Sequence, residues 1–84
     1  MKIECTAKFL KQYKRLPNNI KLLVEKKEEK IKSDIFHPSL KTHKLLGKLN
    51  DFYSFSISYE YRIVFHVENN AIILNAVGTH AVYK

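Results

Sequence analysis

YSFSISYEYRIVFHV, residues 53–67, is the stretch whose reading decides the fold. Tyr53, Phe55, Ile57 and Tyr59 fall on one parity while Ser54, Ser56 and Ser58 fall on the other, the period of two that marks a strand with one packed and one wet face. Tyr61, Ile63, Phe65 and Val67 repeat the pattern and leave Arg62, Val64 and His66 opposite. A tight connection near Tyr59 and Glu60 makes the two runs antiparallel neighbours and gives Arg62 and the three serines one exposed sheet face. Working outward, Asn69-Asn70 suits a second hairpin because Asn tolerates positive φ. Residues 71–77 are apolar on both parities, which predicts a central, covered strand whose parity the pattern leaves open.

The first half of the chain carries a different period. Residues 1–5 read as a short opening strand, after which Thr6 caps a helix with Phe9, Leu10, Tyr13 and Leu16 at helical spacing, stopped by Pro17. Asn18 or Asn19 caps a second helix, with Ile20, Leu23, Val24 and Ile31 as its apolar stripe. Lys21, Glu25, Lys26, Glu28, Glu29 and Lys32 mostly face solvent. Residues 33–47 lack a sustained period, and Pro38 and Gly47 mark them as loop. The expected fold is α+β: a strand, a helical hairpin, then a three-strand antiparallel meander, with one sheet packed on the helices and its other face partly open.

Composition bounds the function. A chain of 84 residues holds one domain, residues 1–84, that buries about 60% of its unfolded surface, so a deep enclosed pocket is not expected. With 15 Lys+Arg against 8 Asp+Glu the formal charge is +7, which attracts polyanions or an acidic protein partner. Cys5 has no second cysteine to pair with, and the histidines follow no zinc spacing, so a reduced compartment and no metal or other cofactor are expected. There is no signal-peptide core and no apolar run near the roughly 18 residues of a membrane span, which points to a cytoplasmic protein without membrane contact.

Three positions carry candidate chemistry. His43 lies in a loop between Lys41 and Lys44; it is either a solvent-exposed loop histidine or, since those cations favour a neutral imidazole, a group able to accept a proton. Arg62 sits on the polar parity of its strand, where its planar fork either meets a phosphate or pairs with Glu60 or Glu68 at the surface. His80 follows Gly78-Thr79 at a strand end, and is either a terminal histidine with no task or one of the functional groups that such places present. His37 and His66 read as structural or solvated.

The series His37-Pro38, Leu40-Lys41-Thr42-His43-Lys44-Leu45, Gly47-Lys48-Leu49, Tyr53-Ser54-Phe55, Tyr61-Arg62-Ile63-Val64-Phe65 and Gly78-Thr79-His80 closely resembles the RelE/ParE toxin superfamily, in particular its YafQ-like members. The resemblance covers essentially the whole chain, including the order of its elements. It implies the toxin of a type II toxin–antitoxin pair: a metal-independent endoribonuclease that cuts mRNA in the ribosomal A site by attack of the ribose 2′-oxygen on the adjacent phosphate. It further implies an acidic antitoxin, an oligomeric antitoxin-bound complex, and the ribosome and mRNA as partners.

Such chemistry takes a base, a cation for the phosphorane and an acid for the leaving oxygen. By resemblance, His43 matches the loop histidine, Arg62 the strand arginine and His80 the acid; Glu60 matches an acidic residue before the aromatic, here Tyr61. His43 leads as base and Glu60 follows. Lys41, Lys44 and Lys48 would hold RNA backbone, and Tyr83 would stack on a base or brace the site. The chain departs from YafQ-like members at Ser56, where they have a histidine, and at Ala76, where they have an arginine. The alternatives are a ParE-like toxin that inhibits DNA gyrase by binding, and a catalytically silent nucleic-acid-binding module.

Overall fold

Thr6 starts the fold by ending one element and opening the next. In the computed structural model, which describes residues 2–45 and 51–79, β1 (Lys2–Cys5) stops at Thr6. The Thr6 hydroxyl accepts from the Phe9 amide at 3.1 Å, capping α1 (Ala7–Lys14) as the sequence predicts. α2 (Asn18–Ser33) follows. Its cap position is Pro17, not Asn18 or Asn19: the Pro17 carbonyl takes the first helical bonds from Ile20 and Lys21, and no side chain caps the end. The fixed φ of proline, here −57° beside an extended ψ of 148°, sets the helix entry one residue early.

The segment expected to be loop contains two short elements. Pro38–Leu40 forms a 3-10 turn, and β2 (His43–Lys44) pairs with β3 (Tyr53–Ser56). Two residues are too few to show a period in sequence, so only pairing reveals them. β4 (Arg62–Glu68) and β5 (Ala71–Gly78) complete a sheet of order β1-β5-β4-β3-β2, antiparallel except where β1 runs parallel to β5. The predicted meander β3-β4-β5 is present, with Asn69 and Asn70 both at positive φ in its second turn.

The helices cover one face. Phe9, Leu16, Ile20 and Ile31 pack with Ile35, Leu40, Phe55, Ile57, Ile63, Phe65, Ile72, Leu74 and Val77 in one core. On β5, Leu74 and Val77 share that core although an uninterrupted strand would turn them to opposite faces. The register explains it: Val64 faces Ala76 and Phe65 faces Leu74, so Asn75 is an extra residue, a β-bulge. Residues 71–77 are therefore apolar on both parities because the parity changes inside them.

Two expectations for residues 53–59 fail, the first on the face opposite the helices. Ser54 is fully buried, since Leu45, Val64, Ala76 and Phe52 cover the centre of that face. Tyr59 is 93% exposed because β3 ends at Ser56 and the chain turns through residues 57–60, with the Ile57 and Ser58 amides both donating to the Tyr61 carbonyl. Leu10, placed on the apolar side of α1 by spacing, is half exposed.

Thr6 also joins α1 to the bulge, donating from its hydroxyl to the Asn75 carbonyl at 3.1 Å. Thr6→Ala removes both the cap and this link, and is expected to lower unfolding free energy by about 1–2 kcal/mol in urea titration without changing the native circular dichroism.

Candidate functional site

At the β3–β4 end of the sheet, Lys27, Ser39, Lys41, His43, Ser56, Ile57, Ser58, Tyr59 and Arg62 line an open groove of about 520 Å³. Three lysine or arginine cations meet one imidazole there, and no carboxylate lines it among the described residues. That composition suits an anion.

Each group is held by its local fold. Lys41 follows the 3-10 turn at φ 53°, a left-handed conformation that costs a residue with a Cβ about 1–2 kcal/mol. Strain of this kind persists where the surroundings fix it. Here the Lys41 amide donates to Pro38 and the Thr42 hydroxyl donates to the Ile35 carbonyl, locking the reversal that turns the chain into β2. His43 is exposed, and its Nδ1 lies 3.2 Å from the Lys41 carbonyl. A carbonyl only accepts, so this contact selects the tautomer with hydrogen on Nδ1 and leaves the Nε2 lone pair available to take a proton.

Arg62 opens β4 opposite Ser56 and Gly78. Its Nη1 donates to the Ser56 hydroxyl at 2.8 Å, and its Nε is buried without a hydrogen-bond partner among the described residues. The surface ion pair weighed for Arg62 is absent among those residues: Glu68 meets His66 instead, at 3.3 Å. Most of the five guanidinium donors remain for a ligand.

The structure brings His43, Lys41 and Arg62 together. Glu60 lies outside the groove, in a neighbouring hollow of about 350 Å³ with Tyr59, Arg62 and Thr79. Lys44 lines a third hollow with Phe36, Asp51, Phe52, Tyr53, His66 and Val67, on the other side of β2 from His43, as alternation along a strand requires. Lys48, His80 and Tyr83 lie outside the described residues. His37 and His66 are structural: His37 Nδ1 accepts from the Ser39 amide in the 3-10 turn, and His66 Nδ1 accepts from Asn75 at 2.7 Å. Among the described residues no group of histidine, cysteine or acidic side chains is placed to hold a metal, and no helix is long and apolar enough to cross a membrane.

Lys27 is the groove residue that the sequence reading left unassigned. Its Nζ donates to the Ser56 carbonyl at 3.3 Å. Burial, then the charges of Lys30 and Lys41, hold its pKa below the ordinary lysine value. Its signal was in the pattern: on α2 it stands between Val24 and Ile31, where the stripe calls for an apolar side chain.

The sequence matches the family model described as "Bacterial toxin of type II toxin-antitoxin system, YafQ" over residues 1–83. The chain belongs to this family. The structure agrees with those of RelE-like toxins. A metal-bound toxin from Helicobacter pylori shares 28% identity with a TM-score of 0.75, covering 96% of each chain. YafQ from E. coli shares 14% at a TM-score of 0.72, over 96% of this chain and 94% of that one. The toxin–antitoxin complex RelBE2 from Mycobacterium tuberculosis shares 13% at 0.78, over 94% and 96%. No curated protein matches the sequence significantly.

The lowered pKa of Lys27 fixes the sign of a pH effect. Between its folded and unfolded values the unfolded chain binds more protons, so this residue makes stability rise with pH as Lys27 deprotonates, and the contribution is lost on returning to neutral pH. Denaturant titrations of wild type and Lys27→Met across the alkaline range are expected to differ by this rise, which the variant lacks.

Proposed function

We propose that this toxin is a ribosome-dependent endoribonuclease that cuts mRNA in the A site by attack of a ribose 2′-oxygen on the adjacent phosphate. The observation that carries the proposal is the groove in which His43, with Nε2 free to accept a proton, lies beside Arg62, Lys41 and Lys27 with no acidic lining residue. In this mechanism His43 Nε2 takes the 2′-hydroxyl proton, and the resulting alkoxide attacks phosphorus. Arg62 stabilises the added charge of the phosphorane. The 5′-oxygen leaves with a proton from His80, whose role follows from its place after Gly78-Thr79, and Gly78 pairs with Arg62 across the sheet. The products are a 2′,3′-cyclic phosphate and a 5′-hydroxyl. Glu60 is the second candidate base, and its position beside Arg62 and Thr79 keeps it near the same chemistry.

Family membership also supports a cognate antitoxin, and the Mycobacterium tuberculosis neighbour is itself a toxin–antitoxin complex. An acidic antitoxin segment over Lys41 and the exposed part of the Arg62 face would inhibit by occupying the anion groove. Lys44, on the far side of β2, would meet RNA or antitoxin separately from the cleavage site.

Single-turnover cleavage on purified ribosomes tests the assignments. Arg62→Ala is expected to lose about 3 kcal/mol of transition-state stabilisation, roughly a hundredfold in rate, and Arg62→Lys to recover only part because an ammonium lacks the planar fork. Equal rates in all three proteins would remove Arg62 from the mechanism.

For the base, the rate should fall at acid pH, where a general base is protonated. His43→Gln should abolish this acidic limb with most of the rate, whereas Glu60→Gln should retain the limb. If His43→Gln keeps both rate and profile, Glu60 becomes the base. Blocked DNA synthesis with intact translation in the first minutes after induction would overturn the nuclease reading in favour of a gyrase-binding toxin.

A further inference from the structure

Helix α2 places a cation where its pattern asks for an apolar side chain. Its core-facing residues run Ile20, Val24, Lys27 and Ile31; the two isoleucines are buried and Lys27 is half-buried. The lysine stem can cover apolar surface while the ammonium reaches outward. Here Nζ reaches the groove, where it donates to the Ser56 carbonyl at 3.3 Å.

Ser56 thereby tethers two cations. Its carbonyl accepts from Lys27, and its hydroxyl accepts from Arg62 at 2.8 Å. An ammonium has three donors and the carbonyl takes one. Among the described residues no carboxylate pairs with Lys27, since the adjacent Glu28 meets Lys32 at 3.5 Å instead. Among the described residues Lys27, Lys41 and Arg62 thus share one groove without a counter-ion, an arrangement that repulsion and partial dehydration make unfavourable until an anion enters.

We propose that Lys27 is a phosphate-binding residue of this toxin, its ammonium anchored on Ser56 and contacting the same RNA backbone segment that Arg62 holds. The proposal rests on the nuclease reading of the groove. It gives helix α2, otherwise a cover for the core, a direct part in substrate binding. An apolar residue at 27 would complete the stripe and leave this wall of the groove uncharged.

The experiment measures binding of the full chain to a short single-stranded DNA oligonucleotide of mixed sequence, which offers phosphates but no 2′-hydroxyl to attack, by fluorescence anisotropy over a range of salt. Each phosphate neutralised on a single strand contributes about 0.7 to the slope of log K against log salt. Lys27→Met is expected to lower that slope by about 0.7 and to weaken binding roughly tenfold at low salt. Lys27→Arg should keep the slope. A role limited to packing α2 on β3 predicts the wild-type slope in Lys27→Met, and that result in a folded variant overturns the proposal. Lys27→Gln gives the same comparison if the methionine variant does not fold. Arg62→Met separates the two ideas: a slope that depends on Arg62 but not on Lys27 removes this inference alone. Absence of salt-dependent binding by the wild type removes the inference and the groove reading together.

Discussion

The extra residue at Asn75 governs how the sheet, the helices and the groove fit together. Without it Leu74 and Val77 would point to opposite faces, and the core would lose one of them. With it, Ile63 meets Val77 and Arg62 meets Gly78, so the end of β5 is in register with the start of β4 where the groove lies. The bulge is secured from the helical side. Thr6 donates its amide to Leu74 and its hydroxyl to Asn75, and the Gln12 side chain accepts from the Val77 amide at 2.9 Å. From the other face, the Asn75 side chain donates to His66 and to the Ile73 carbonyl. A disrupted strand pairing is thus compensated by side chains on both faces.

The groove concentrates positive charge on unequal supports. Arg62 stands at the start of β4, next to the fully buried Ile63, and Lys27 lies near the middle of a sixteen-residue helix. Both side chains are tied to Ser56. The resemblance implies a histidine in YafQ-like members at the position of Ser56. A serine hydroxyl is not a general acid or base at neutral pH, but here the Ser56 hydroxyl and carbonyl hold two cations in place. In the proposed mechanism this fixed orientation of charge would act on the developing phosphorane.

Much of this was legible in the chain. Alternation from Tyr53 to Tyr59 predicted a strand of which β3 keeps Tyr53–Ser56, Thr6 gave the first cap, and Pro17 gave the break between helices. Arg62 and His43 were singled out by residue type, neighbours and resemblance, and both line the groove. Other features are products of three-dimensional pairing. The two residues of β2 become a strand only opposite Tyr53 and Ser54. Ser54 looked solvated because its parity is polar, yet Leu45 and Ala76, remote in sequence, cover it. Lys27 was visible as a break in the α2 stripe, but a lone lysine among charged neighbours does not reveal that its ammonium ends at Ser56.

The candidate base and the cations also differ in how firmly they are held. His43 sits on an edge strand of two exposed residues, supported by pairing to Ser54 and Tyr53, the hydrogen bond that the Leu45 amide donates to the Phe52 carbonyl, and the reversal at Lys41. Such a segment, with few buried contacts, belongs to the low-stability end of a native structure. Arg62 lies on β4, which pairs with β5 along its whole length, and Lys27 is inside a regular helix. In the proposed mechanism the phosphate is consequently fixed by the rigid side of the groove, while the imidazole can adjust to the 2′-oxygen from the more yielding side. Binding RNA across both sides would add contacts to β2, restricting the imidazole only when substrate is present. In the proposed mechanism substrate binding would complete a geometry that the two-residue edge strand supports with few buried contacts.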